Sequence, residues 1–307
     1  MIVLVTGGAG FVGSNIVEAL VERGHDVVVL DNFFMGKKEN LHEIRDKIEF
    51  VEGSITDENL INKITKDIDV ICNQAAASSS PMFSLEGLRS AVNVNIDGFH
   101  IILKAAVEND VKKVVYASTS SIYGNSPPPL RENMKVIPPN FYAATKLMNE
   151  YSAILFSQIH GLETIGFRYM SIYGKHEEGK TIYANLVTQF LWAMQKGERP
   201  VIYGDGKQTR DFVYSKDVAR ANVMAIESKK KIFGEVLNVG TGKETSLNQL
   251  VAILNKTLGE KIKPKYIKMP VKNYIKTQKA DIRKTKRTLG FDTKFSLEDG
   301  LKDILKD

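Results

Sequence analysis

Ile2-Val3-Leu4-Val5-Thr6-Gly7-Gly8-Ala9-Gly10-Phe11-Val12-Gly13 joins an apolar, β-type run to glycines at 7, 10 and 13. Glycines so spaced let a strand turn sharply into a helix and bring backbone close to a pyrophosphate. They also leave the helix N-terminus aimed at the phosphate charge. Position carries more than spelling: an amphipathic helix over 11–23 follows, and 27–30 reads as a second strand ending in Asp31. That is a βαβ unit. Asp31 stands 18 residues beyond Gly13, where a carboxylate accepts hydrogen bonds from both adenosine ribose hydroxyls and repels a 2′-phosphate. The residues therefore point to NAD rather than NADP.

Outward from this unit, apolar runs at 48–51, 69–72, 113–117 and 164–169 alternate with helical patterns, notably 85–109 and 141–160. Strands separated by helices predict an α/β fold, a Rossmann doubly wound parallel sheet. The stretch 125–139 carries five prolines and reads as a loop. Beyond Tyr169 the pattern is less regular, with helices near 183–196, 215–227, 246–258 and 297–305. The expected organisation is a dinucleotide-binding domain over 1–170, to which a strand and a helix return from about 205–240, and a smaller α/β substrate lobe over 171–307. The loop that follows Asn73-Gln74-Ala75-Ala76-Ala77 should lie in the crevice beyond the strand C-termini, where open α/β sheets bind ligands.

At 307 residues and 43% hydrophobic content the chain can bury a sizeable core. No apolar stretch approaches bilayer-spanning length, and the chain opens on a strand without a basic leader, so no membrane association and a cytoplasmic location are expected. The single cysteine, Cys72, excludes an internal disulfide and reads as a small buried strand residue. The net charge of +6 is uneven: from Ser228 onward 19 Lys and Arg face 9 Asp and Glu. With no arginine-rich run or aromatic ladder, that excess reads as a solvated lysine face rather than a nucleic-acid surface. The five histidines show no zinc-binding spacing, and no metal is expected.

Tyr142 and Lys146 are four apart in a helical segment and project from one face. An ammonium beside a phenol favours the phenolate, and the positive charge of an oxidised nicotinamide would add to that. Tyr142 is thereby a candidate base. Twenty-three residues earlier, Ser118-Thr119-Ser120-Ser121 places hydroxyls at a strand end, where one can hydrogen-bond the oxygen whose proton leaves.

With these elements go Arg168-Tyr169-Met170-Ser171-Ile172-Tyr173-Gly174, Ile202-Tyr203-Gly204-Asp205-Gly206, Thr209-Arg210-Asp211-Phe212 and Asn238-Val239-Gly240-Thr241-Gly242. Over essentially its whole length the chain resembles the extended short-chain dehydrogenase/reductases, specifically the NAD-dependent nucleotide-sugar epimerases and dehydratases. The resemblance implies Tyr142 as base, Lys146 as the lysine on the nicotinamide ribose, Thr119 as the assisting hydroxyl and Tyr169 near the nicotinamide. It implies cofactor contacts from Gly7, Gly10, Phe11, Val12, Gly13, Asp31, Asn32, Ser54, Ile55, Ala75, Ala76 and Asn95. On the substrate side it implies Asn185 at the diphosphate of a UDP-sugar, Tyr203 against the uracil, and Arg210 clamping a phosphate with a guanidinium fork. The implied reaction is 4-epimerisation of a UDP-hexose: C4 of the sugar gives hydride to NAD as Tyr142 takes the O4 proton. The transient 4-keto sugar turns over, and NADH returns the hydride to its other face. A homodimer through 85–109 and 141–160 is implied as well.

Departures from the family pattern narrow this reading. Thr119-Ser120-Ser121 stands where 4,6-dehydratases carry Thr-Asp-Glu, leaving no acid and base for eliminating water. Ser171 replaces an asparagine of the galactose epimerases and brings the stretch closer to enzymes acting on UDP-glucuronate, so a uronate 4-epimerase or decarboxylase is the alternative. Ser54 stands where an aspartate usually meets adenine, Lys272 where a phosphate-binding arginine is usual, and Gln278 at a position that governs N-acetyl accommodation in some members. An NADPH-dependent keto-sugar reductase is disfavoured by Asp31, and a non-catalytic subunit by the intact Tyr142 and Lys146.

Overall fold

Residues 1–78, 80–268 and 274–306 are described by the computed structural model. In chain order its main strands are β1 (Ile2–Thr6), β2 (Asp26–Asp31), β3 (Ile48–Glu52), β4 (Val70–Asn73), β5 (Lys113–Thr119), β6 (Glu163–Tyr169), β7 (Ser171–Tyr173), β8 (Val201–Tyr203), β9 (Thr209–Arg210), β10 (Phe212–Tyr214) and β11 (Glu235–Val239). The helices are α1 (Phe11–Glu22), α2 (Glu58–Ile64), α3 (Leu88–Val92), α4 (Gly98–Glu108), α5 (Phe141–His160), α6 (Leu186–Gln195), α7 (Ser215–Glu227), α8 (Leu247–Leu258), α9 (Arg283–Leu289) and α10 (Leu297–Ile304).

Seven strands form one parallel sheet in the order β3-β2-β1-β4-β5-β6-β11. Its inner strands are largely buried because both faces are covered, whereas the edge strand β3 carries Glu49 and Glu52 and is largely exposed. Val3, Val5, Val27 and Val29 point into a core shared with α1 and α7, while Leu4, Val28, Leu30 and Ile71 point into one shared with α4. The order reverses between β1 and β4, whose C-terminal residues Thr6 and Asn73 are joined side chain to side chain at 2.7 Å. Beyond that point the following loops diverge and leave the crevice that such sheets use for ligands.

Past β6 the chain alternates between the sheet and a separate core. α7 packs on α1 and β11 pairs with β6, whereas Tyr173, Val187, Phe190, Ile202, Leu250 and Leu301 build a third apolar cluster from β7, β8, α6, α8 and α10. The pattern at 85–109 predicts a helix, and the chain is helical without a break from Leu88 to Glu108. α3 starts at Leu88, and between it and α4 residues Asn93–Asp97 form a wider π-type turn. One extra residue in a turn is invisible to a 3.6-residue periodicity, and such turns gather at functional sites. This one aims Asn95 inward. Among the described residues no helix is long and apolar enough to cross a membrane.

Candidate active site

A groove of about 390 Å³ runs over the C-terminal edge of β1, β2 and β4, lined by Gly7, Gly10, Val12, Gly13, Asp31, Asn32, Ser54, Ile55, Ala75 and Ala76. All ten belong to the predicted cofactor set. Gly7 has φ +67°, and a Cβ there would sit 2.7 Å from the Ala75 nitrogen; one on Gly13 would strike the Gly7 carbonyl. These glycines let the backbone form the groove wall. Gly10 caps α1 without a side-chain hydrogen bond, so the first N–H groups of the helix remain to face an anion.

Asp31 ends β2 in the same wall. Its two oxygens accept from the Ala9 N–H at 3.0 Å and the Phe33 N–H at 2.8 Å, and each keeps a lone pair for a ligand. Burial raises its pKa, with the Phe33, Ala9, Asn32 and Gly10 amides opposing. Ser54 shares a hydrogen bond with Thr56 at 2.8 Å. Cradle, helix N-terminus and terminal carboxylate together fit a dinucleotide without a 2′-phosphate.

Val12, Gln74, Ala76, Ser78 and Lys180 also line an adjoining cavity of about 230 Å³, together with Thr119, Tyr142, Lys146, Tyr169, Ser171 and Asn185. Asn140 caps α5 by accepting from the Ala143 N–H at 2.9 Å, which places Tyr142 in the first turn, where the helix dipole favours negative charge. Lys146, one turn on, is 3% exposed and donates to the Ala117 carbonyl at 3.0 Å. Burial brings its pKa down to about 8. Burial also raises the Tyr142 pKa, and the facing Thr119 hydroxyl only partly opposes it. In the protein alone the phenol pKa thus lies above its ordinary value, and the Lys146 ammonium donates to a backbone carbonyl.

Asn95 and Phe11 lie outside the cavity walls. Asn95 holds Ala77 through its N–H and carbonyl and reaches Thr145 at 3.0 Å, and Thr145 in turn donates to the Tyr142 carbonyl. Phe11 is buried at the start of α1 beneath Lys180, whose ammonium is 4.7 Å from the ring centroid. Tyr169 donates to Gln74 at 3.2 Å and accepts from the Asn222 amide at 2.9 Å. Ser171 donates to Gln278 at 2.9 Å, and Gln278 to Ser120 at 2.7 Å. Asn185 caps α6 through its carbonyl oxygen, leaving its amide N–H groups to the cavity.

Tyr203 and Arg210 stand outside both cavities; Arg210 lies 5.0 Å over the Tyr274 ring and donates to the Thr209 carbonyl. Its neighbour Asp211, between β9 and β10, is fully buried and accepts from Thr241, Gly242 and Ala280. His176 turns onto α1 and meets Ser14 at 2.9 Å. Lys272 lies outside the described residues.

Among the lining residues to which the sequence reading assigns no role are Gln74, Glu177 and Lys180. Gln74 carried a signal, directly following a strand end at the reversal point. Glu177 is fully buried, accepts from the Asn185 N–H at 2.6 Å and from Thr188 at 2.5 Å, and has its pKa pushed up to about 6 by burial. It fixes the start of α6 and with it Asn185. Nothing in its loop marks it in advance. Among the described residues no group of three His, Cys, Asp or Glu side chains could hold a metal ion.

The NAD dependent epimerase/dehydratase family matches residues 3–240. A UDP-glucose 4-epimerase from Thermotoga maritima, solved with UDP-glucose, is 34% identical and superposes with a TM-score of 0.92 over 100% of this chain and 98% of that one. A UDP-N-acetylglucosamine 4-epimerase from Methanobrevibacter ruminantium, in complex with UDP-N-acetylmuramic acid, is 35% identical, with a TM-score of 0.90 over 99% and 95%. A UDP-glucuronic acid 4-epimerase from Bacillus cereus, in complex with UDP-glucuronic acid and NAD, is 29% identical, with a TM-score of 0.90 over 100% and 98%.

Proposed function

The chain belongs to the NAD dependent epimerase/dehydratase family, and from that premise we propose that it interconverts the C4 epimers of a UDP-hexose, using NAD held in the groove over β1, β2 and β4. The observation that carries this reading is the meeting of Tyr142, Lys146 and Thr119 in one cavity that opens onto the glycine-lined groove. Bound NAD supplies a hydride acceptor that can give the hydride back, and its nicotinamide cation adds positive charge beside the phenol.

The protein's own part is to move a proton and hold the sugar. Tyr142 takes the O4 proton and returns it after the sugar has turned. Lys146 and the first turn of α5 stabilise the negative charge that the phenol then carries, and Thr119 hydrogen-bonds the same oxygen. Asn185 donates to the substrate diphosphate, and Arg210 and Tyr203 meet the nucleotide where the substrate extends past the cavity. Holding the diphosphate far from the reacting carbon leaves the hexose able to present either face. Ser171 lines the cavity and is backed by the buried Gln278, which in turn donates to Ser120. The Ser171 hydroxyl in the cavity wall supports the uronate 4-epimerase as the second reading, since a hydroxyl suits a sugar carboxylate.

The chain is further proposed to act as a homodimer in the cytoplasm. Met148, Tyr151, Leu155 and Ile159 form a stripe along α5 at helical spacing and are 52%, 59%, 51% and 69% exposed, more apolar surface than one helix face normally leaves to water.

The test is incubation of the pure protein with UDP-glucose, UDP-N-acetylglucosamine and UDP-glucuronate, without added cofactor, and chromatography of the products. The expected result is a C4 epimer from at least one of them in the wild type and none from Tyr142→Phe. Turnover that requires stoichiometric NADPH, or undiminished turnover by Tyr142→Phe, contradicts the reading.

A further inference from the structure

Between β7 and α6 the chain crosses from the sugar side of the cleft to the far bank of the cofactor groove. At Gly179 it runs so close to the loop after β2 that a Cβ would lie 2.5 Å from the Met35 carbonyl oxygen. His176 at φ +70° and Thr181 at φ +48° hold the crossing in a backbone conformation that side chains rarely adopt, a cost that persists where the surroundings require the shape. Glu177 anchors one end in the α6 start.

Lys180 sits in the middle of this strap and lines both cavities. It is the only cation among the described residues that line the groove. Its ammonium stands over the first residue of α1 at 4.7 Å and has no carboxylate in ion-pairing range among the described residues. Burial lowers its pKa, with Glu177 opposing. A dinucleotide brings two phosphate charges to the α1 N-terminus, and the groove wall otherwise answers them with backbone N–H groups and the like charge of Asp31.

We propose that Lys180 pairs with the cofactor pyrophosphate and, through the strap that carries it, closes the groove so that one NAD stays bound through both hydride transfers. This rests on the reading of the groove as an NAD site. The substrate diphosphate is the other pyrophosphate within the two cavities. The position of Lys180 over Phe11, at the helix start that faces the cofactor groove, favours the cofactor.

Binding of NAD, ADP-ribose, adenosine and UDP is measured on wild type, Lys180→Gln and Lys180→Arg. Lys180→Gln should weaken NAD and ADP-ribose about tenfold or more and flatten their salt dependence. Adenosine and UDP should be unaffected, and Lys180→Arg should recover most of the loss. Unchanged NAD binding overturns the proposal, as does an equal loss for adenosine, which marks a structural effect, or a loss confined to UDP, which assigns the lysine to the substrate. Wild type that binds no NAD overturns the groove reading itself, whereas wild type that binds NAD as well as Lys180→Gln does overturns only the role of Lys180.

Discussion

Lys146 shows at a single residue how a site can work against the stability of its own fold. It is an ammonium held in a nearly closed cavity with one carbonyl for company. Its pKa falls from 10.5 to about 8, so the folded chain binds fewer protons than the unfolded one between those values, and stability rises with pH across that window. Lys146→Met should remove this slope and stabilise the protein at neutral pH by about 3 kcal/mol. The same change removes the charge that favours the Tyr142 phenolate, so activity should fall about a hundredfold or more and its rising limb should move to higher pH. Unfolding and rate profiles against pH check both halves; a variant no more stable than wild type would mean that the ammonium is better solvated than its burial indicates.

The residues of this site divide sharply in how far the sequence announces them. The glycines, Asp31, Tyr142 and Lys146 are legible because each sits at a fixed offset from a periodic element. Lys180 and Glu177 lie in an aperiodic loop, where a lysine and a glutamate read as solvated charges until the fold carries them over a groove.

At the scale of elements, α5 must hold Tyr142 and Lys146 against the end of β5. It is tied there by Glu150, which accepts from Arg168 on β6 at 2.9 and 2.7 Å and from Ser118 at 2.5 Å. Both charged partners are about 5% exposed or less. Breaking a buried pair leaves one charge uncompensated, so Glu150→Gln should cost about 3–5 kcal/mol in chemical unfolding. Replacing both partners with apolar residues of similar volume should recover most of that, and a single variant as stable as wild type would show that water reaches Arg168. The Arg-Tyr motif flags Arg168 in the sequence, but the partner 18 residues earlier is one polar residue among many on the helix. The π-type turn at Asn93–Asp97 is hidden in the same way, since an inserted residue leaves the surrounding apolar pattern intact.

At the scale of the whole molecule, the parallel, doubly wound sheet was legible from its alternating runs while its strand order was not, and the return of α7 and β11 follows from apolar patterns too short to place alone. Assembly depends on α5 again. If its outer stripe is a dimer seam, Leu155→Glu should convert a dimer to a monomer in light scattering while leaving the cavity residues in place; a wild-type monomer would contradict the seam. Activity of the whole rests on one hydride leaving the sugar and returning to it. The most direct measurement uses the UDP-hexose that turns over, labelled with deuterium at C4. Full retention of the label at C4 of the inverted product, in ordinary water, is the predicted result. Loss of the label to solvent would contradict the account.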